Sequence, residues 1–317
     1  MGKQKSIGAV FSKYGIYLVL LLMIIVLSFL SSNFLTLNNG LNILRQASIS
    51  GIIALGMTMV LVTGGIDLSV GSIMAFAGVI ATTFAHPEPK HFILMIILIA
   101  LAVGAVCGVA NGAIVSFTGV NPFIVTMGMQ TIARGATLLY TNGRPVNDLS
   151  KSFQFLGRGS IGGIAVPIII FAVMCVISII ILHKSKLGRH IFAVGGNEQA
   201  AKVSGINVAR VKLFVYTYSG ILCGLAGIIL ASRTNAASPN AAEGYELDAI
   251  AAGVIGGTST SGGRGGVYGT IVGVLIIVIL SNGLDMLNVS SYIQQIVKGI
   301  IIIGAVCIDQ FSKGSGK

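Results

Sequence analysis

Ten apolar stretches divide the chain, at roughly 14–31, 47–63, 69–84, 92–117, 121–140, 161–182, 212–231, 246–257, 267–282 and 292–309. A membrane-crossing helix needs about 20 apolar residues, somewhat fewer when it is broken. The pattern predicts an all-α, polytopic integral membrane protein with about ten transmembrane segments, organised as a single transmembrane domain over residues 1–317. The second, third and eighth stretches are short or interrupted by glycine. Irregular backbone at membrane depth persists only where protein buries it or a cavity runs beside it. These three stretches are therefore where a transport pathway is expected; tight packing around glycine is the competing reading.

One long stretch, residues 185–211, breaks the pattern with KLGRHIFAVGGNEQAAKVSGINVAR. It is polar and basic, lies between two apolar runs and must leave the bilayer. Gly195-Gly196-Asn197 reads as the start of a short helix, with Asn197 as its cap and Glu198 where the helix dipole favours an anion. Gln199, Ala200 and Ala201 continue it, and Gly205 ends it in the left-handed conformation. The expected product is two turns of helix with a small, shallow face. An interfacial helix lying on lipid would carry a large apolar stripe, so a groove in a partner protein is the better host.

Composition sharpens the picture. The chain is 54% hydrophobic and 9% charged, against about 25% charged in a soluble domain. Its mean hydropathy of +0.93 excludes an ordinary soluble protein. The net charge of +11 reflects topology rather than nucleic-acid binding, since no basic patch is interleaved with aromatics. With the N-terminus inside, Lys3, Lys5, Lys13, Lys184, Lys186, Arg189, Lys202, Arg210, Lys212, Arg264, Lys313 and Lys317 fall inside. Arg45, Lys90, Arg144, Lys151, Arg158 and Arg233 fall outside, 6 against 12, with Arg134 and Lys298 left within spans. This bias predicts a multi-pass plasma-membrane protein with both termini and residues 185–211 in the cytoplasm. The first segment is similar to a signal peptide, but nine further spans and the lack of a clear small-x-small site favour an uncleaved helix.

Glu88, Asp148, Glu243, Glu246 and Asp285 fall on or near the outer side, either as solvated loop charges or as a docking surface for an extracytoplasmic partner. Cys107, Cys175, Cys223 and Cys307 lie in apolar runs without ligand spacing, and His86, His91, His183 and His190 lie at span ends. No metal site is expected. The repeats Gly104/Gly108/Gly112, Gly220/Gly224 and Gly269/Gly273 imply close helix packing or dimer contacts.

Two further motifs are pathway candidates. Gly64-Gly65-Ile66-Asp67-Leu68-Ser69-Val70-Gly71-Ser72 joins two apolar runs through a break carrying a carboxylate, placed by the topology near the inner mouth. Asp67, Ser69 and Ser72 read as a gate at the cavity floor or as a plain helix cap. Glu246, Asp248, Gly256, Gly257 and Thr258 belong to a second break, followed by a glycine run to Gly266. Gly257 to Gly262 has the spacing of a phosphate loop, but Gly263-Arg264 follows where Lys-Ser/Thr is required, so nucleotide binding is rejected. Asn111 and Asn121 complete the pathway candidates. No nucleophile–base pair or paired carboxylates point to an enzyme.

Together these segments resemble the permease subunits of bacterial ABC importers for monosaccharides, with ribose permeases nearest. The matching stretches are GMTMVLVTGGIDLSVGS (56–72), YTNGRPVN (140–147), LGRHIFAVGGNEQAAKVSGINV (187–208), GYELDAIAAGVIGGTSTSGGRGG (244–266) and NGLDMLNVSSYIQQIVKG (282–299). Permeases for galactose, xylose and autoinducer-2 look similar. The resemblance implies a type II importer fold, a permease homodimer, a two-domain ATP-binding cassette subunit beneath it and an extracytoplasmic sugar-binding protein above. It implies that residues 196–205 form the coupling helix. ATP and magnesium would belong to the partner ATPase, with no cofactor on this chain. An ion-coupled secondary transporter is the alternative, with Asp67 and Asp248 its only deep acids. A membrane scaffold without transport fits poorly with three broken spans.

Overall fold

A computed structural model describes residues 7–88 and 92–314. Lys3, Lys5, Lys90, His91 and Lys317, counted above, lie outside the described residues. The fold is helical, with one small hairpin. Its elements are α1 (Ile7–Leu30), α2 (Leu37–Val62), α3 (Val70–Thr82), α4 (Ile93–Thr118), α5 (Pro122–Thr141) and α6 (Lys151–Arg158). The hairpin β1 (Ser160–Ile161) and β2 (Ile164–Ala165) leads into α7 (Val166–Ile179), which ends in a π-helical turn, Ile180–Lys184. Then follow α8 (Lys186–Gly196), α9 (Glu198–Val203), α10 (Val208–Thr234), α11 (Tyr245–Ile255), α12 (Val267–Met286) and α13 (Ser291–Gly314).

Among the described residues, five helices are long and apolar enough to cross a membrane: Leu37–Val62, Ile93–Thr118, Val166–Lys184, Val208–Thr234 and Val267–Met286. Shorter apolar helices cover Gly15–Leu30, Val70–Thr82 and Ser291–Cys307. The stretch read as a short span at 47–63 is the second half of the 26-residue α2, which starts at Leu37 and carries Arg45 within it. Local polarity at residues 38–46 concealed this start. Thr36 caps the helix by accepting from Asn39 N–H at 3.3 Å. By contrast α3, with 13 residues, and α11, with 11, are short as expected. At about 1.5 Å rise per residue neither reaches across a hydrocarbon core of about 30 Å.

The hub is α2, buried over almost every residue from Ala47 to Val62. A helix that is apolar all round and covered by protein belongs at the centre of a bundle. Around it pack α7, α10, α11 and α12. The closest pair is α4 with α10, where the glycine repeats let the backbones touch. A Cβ on Gly104 would collide with the Gly220 carbonyl, and one on Gly220 with Gly104. Gly269 and Gly273 likewise seat α12 against Gly256 and Ala252 of α11. All three repeats are thus consumed in packing within the chain, not left for contacts between copies.

Loops gather at two ends. At one, the Val146–Ala237 bridge and Ser150 N–H donating to the Ala85 carbonyl at 2.7 Å tie together the loops around the hairpin. At the other lie the π-turn, α8, α9 and the glycine-rich 257–266 loop. Cys107, Cys175 and Cys223 are buried and Cys307 is exposed, all as free thiols.

Candidate functional site

Three polar assemblies stand out: an exposed tip, a sealed knot and an open trough. The tip is α9. Asn197 Oδ1 accepts from Ala200 N–H at 2.9 Å, closing the first turn. Gly205, with φ +80°, ends the helix in the left-handed region. The cap and stop fall where the sequence places them, but the helix has six residues rather than two full turns. Glu198 is gripped from both sides, by Lys202 at 2.9 Å and by Lys212 of α10 at 2.7 Å. These bonds, that to Lys212 foremost, hold its carboxyl below its ordinary value. Gln199 and Ala200 face outward, and Val203 is 90% exposed. Ala201, expected on the same small face, is instead buried in the core. A groove of about 530 Å³ runs beside the tip, between Glu198, Lys202 and Lys212 on one side and Phe117 to Gly119 on the other.

Gly195 and Gly196 do not start this helix; they end α8, the 11-residue helix before it. Gly195 serves close approach. Its Cα lies against the Val62 carbonyl, where a Cβ would collide, and 2.6 Å separates that Cβ position from Gly263 N. Gly263 N–H donates to the same Val62 carbonyl at 2.9 Å. The end of α8, the end of α2 and the 257–266 loop thus form one glycine seam. Three motifs far apart in sequence meet there, including Gly64, whose N lies 2.9 Å from the Cβ position of Gly262.

The knot is built on Asp67. It is fully buried, not near a mouth as the topology suggested. The chain from Gly64 to Ser69 climbs from the seam to the middle of α10, where Ser219 donates to Asp67 Oδ2 at 3.2 Å. Asp67 Oδ1 also accepts from Ser69 N–H at 3.0 Å and from the Ser69 hydroxyl. Asn111 Nδ2 donates to Ser69 Oγ at 2.9 Å, and Ser72 donates to the Ser69 carbonyl at 2.9 Å. Three neutral donors replace the water a buried carboxylate loses. The knot fixes the start of α3 and has no opening. Asn121 is not part of it: it caps α5 by accepting from Phe123 N–H at 3.0 Å and is exposed.

The trough begins where α3 and α11 meet end to end. A Cβ on Gly71 would lie 2.6 Å from Glu246 Oε2. Glu246, read as an outer acid, is buried there, because α11 begins at the depth of the α3 start. Gln130, near the middle of α5, donates to Glu246 Oε1 at 3.3 Å. Arg134, one turn on, donates to the Pro239 and Ala241 carbonyls. On the other flank Asp248 pairs with Lys298 of α13 at 2.9 Å. Two cavities adjoin: about 460 Å³ along Gln130, Arg134 and Glu243, and about 610 Å³ along Glu243, Glu246, Asp248 and Lys298. Gln130, Arg134 and Lys298 were missed as a group; the one signal was that two of them are cations inside apolar stretches.

Gly256 caps α11, and Gly257, with φ +85°, turns the chain away. Thr258 is buried with its hydroxyl unpartnered. These residues lie at the seam end, so the second break divides between trough and seam. Of the outer acids, Glu88, Asp148, Glu243 and Asp285 remain exposed. Among the described residues no group of His, Cys, Asp and Glu is placed to hold a metal ion.

A family model described as "Branched-chain amino acid transport system / permease component" matches residues 39–306. The chain belongs to this permease family. Its relatives include the ribose import permease protein RbsC of Escherichia coli (strain K12), 46% identical over 92% of this chain and 92% of the relative. RbsC of Bacillus subtilis (strain 168) is also 46% identical, over 97% of this chain and 96% of the relative. The galactose/methyl galactoside import permease protein MglC of Salmonella typhimurium is 39% identical over 96% of both. No solved structure matches the chain. The chain is an integral membrane protein of this permease family, and several of its relatives are named as sugar-import permeases.

Proposed function

We propose that this permease imports ribose or a closely related monosaccharide into the bacterial cytoplasm, driven by a separate two-domain ATPase that holds ATP and magnesium. The observation that carries this reading is the 46% identity to ribose permeases over almost the whole chain. The working unit is a homodimer of this chain, loaded from outside by a sugar-binding protein. Ten crossings are completed by α1, α5 and α13 together with the half-length α3 and α11, a type II importer arrangement. Both termini and the α8–α9 end face the cytoplasm, where Lys and Arg concentrate.

A neutral sugar is too polar for lipid, so the protein supplies a wet path. The exposed tip at 196–205 is the surface the ATPase grips. Its movement passes along α8 into the glycine seam, and from there to the ends of α2 and α11. The trough is the part of this chain able to line the path. Selection rests with the binding protein, so the permease needs only weak contact with cargo.

Uptake of labelled ribose in cells lacking this chain, with and without its return, tests the cargo. Uptake unaffected by the deletion overturns it, and leucine uptake lost instead would turn the reading toward a branched-chain amino acid as cargo. Uptake that survives loss of ATP but stops when ion gradients are collapsed would overturn ATP coupling.

A further inference from the structure

We infer that the trough formed by Gln130, Arg134, Glu243, Glu246, Asp248 and Lys298 is a cargo site on this chain, where a neutral polyhydroxyl molecule pauses in transit. The inference rests on the sugar-permease reading and adds to it the residues that touch the sugar.

Four observations carry it. First, the groups lie away from the helix ends, since Gln130 is mid-way along α5 and Glu246 abuts the start of α3, which is membrane depth in the ten-crossing arrangement proposed above. Ionisable side chains at that depth face a bundle interior or water rather than lipid. Second, they are not consumed as the Asp67 knot is. Glu243 is exposed, and Asp248 and Lys298 keep 13% and 26% of their side-chain surface open although they are paired. Third, the two adjoining cavities of about 460 and 610 Å³ share Glu243, and the Gln130–Glu246 bond links their walls. Ligand pockets typically span ~300–1,000 Å³. Fourth, the formal charge is nearly balanced: two cations (Arg134, Lys298) against three carboxylates (Glu243, Glu246, Asp248). Such a set does not hold a strong ion. It offers both donors and acceptors, which is what the hydroxyls of a sugar require.

The same chemistry accounts for transit. The Asp248–Lys298 ion pair, the Gln130–Glu246 bond and the Arg134 bonds to backbone carbonyls give each of these groups a hydrogen-bonding partner within the chain. When cargo enters, hydroxyls exchange with those partners one for one. The net change in bonding is small, so the sugar neither sticks nor is excluded.

The test uses the purified full chain in lipid nanodiscs. Cys307→Ser removes the exposed thiol, and Thr131→Cys or Gln295→Cys places a reporter in the trough. Labelling by a hydrophilic maleimide is followed with and without about 100 mM ribose, a concentration suited to the weak, millimolar binding expected. Glycine betaine at equal osmolality, which has no hydroxyl, is the control. Ribose slowing both labellings at least threefold, with betaine inert, is the expected result. No protection by ribose, galactose or allose overturns the trough, and equal protection by betaine does so too. A charge exchange, Asp248→Lys with Lys298→Asp, separates contact from scaffolding. A merely structural pair is rescued by it in both expression and sugar uptake. A cargo site regains expression but not uptake, and full recovery of uptake counts against the inference. Failure of the permease reading is recognised separately, as ribose uptake in cells that does not depend on this chain.

Discussion

The short helices α3 and α11 begin at the same depth, end to end, and each has a carboxylate at its start. There the likeness ends. Asp67, ahead of α3, is sealed and satisfied by Ser69 and Ser219. Glu246 and Asp248, in the first turn of α11, meet Gln130 and Lys298 across open cavities. A buried carboxylate held by three donors rigidifies what it joins, although Asn111 Oδ1 at the edge of the knot has no partner. Partly open pairs can exchange partners. The comparison teaches that one break is a fixed post and the other a working wall, although both look alike as apolar runs interrupted by glycine and acid.

The comparison can be broken most sharply at the post. Asp67→Leu leaves the Ser69 N–H and two hydroxyls without an acceptor in a dry site. A loss of about 3 kcal/mol or more is expected, read as a fall in thermal unfolding temperature and in detergent-stable yield. Asp67→Asn keeps one acceptor oxygen and should lose about half as much. A wild-type unfolding temperature in Asp67→Leu would show that the knot is not a post.

The wall should behave differently. Lys298→Met leaves Asp248 without its ion pair at the wall of a cavity, so the cost to stability should lie between the roughly 1 kcal/mol of an exposed pair and the roughly 3 kcal/mol or more of a buried one. Sugar uptake should nevertheless fall severalfold. The ratio of uptake loss to stability loss is thus small for Asp67 variants and large for Lys298 variants, and equal ratios would erase the distinction.

The seam joins both breaks to the end of α8, next to the tip. Gly195→Val cannot be accommodated against the Val62 carbonyl without moving α8. Uptake should drop at least tenfold while the chain still inserts, whereas Gly196→Ala, with open space around it, should be near wild type. At the tip, Asn197→Ala should cost about 1 kcal/mol of local helix stability, read by faster amide exchange over residues 198–206.

The smallest effect is that of pH. Glu198 is held below its ordinary value of 4.5 by Lys212 and Lys202. A carboxyl lowered by folding contributes stability above its unfolded value and loses it as pH falls through the folded value. Amide protection at the tip, relative to the unstructured rate at the same pH, should therefore be unaffected by this group near neutrality and fall only below about pH 4.5. Glu198→Gln should abolish that acid dependence. Because Glu198 is partly exposed, salt should weaken the effect.

Much of this was legible in sequence, unevenly and for physical reasons. Each apolar run reports a helix because a chain in lipid must satisfy its backbone within its own segment. The Asn197 cap and the Gly205 stop are likewise local, decided by residues within one turn. The bounds were less legible where polarity misled, as at the start of α2, where Arg45 looked like a loop residue and is helical.

What sequence alone determined, then, is the membrane class, the positions of the two short helices and the tip, since each depends on neighbours in the chain. Only the tertiary structure decided that Asp67 is sealed while Asp248 is open, and that Gly195 is a point of contact rather than a helix start. It also decided that Gln130, Arg134 and Lys298 share one wall. Burial and partnership at those positions are set by which helices meet across 50 to 152 residues, and no local pattern records that meeting.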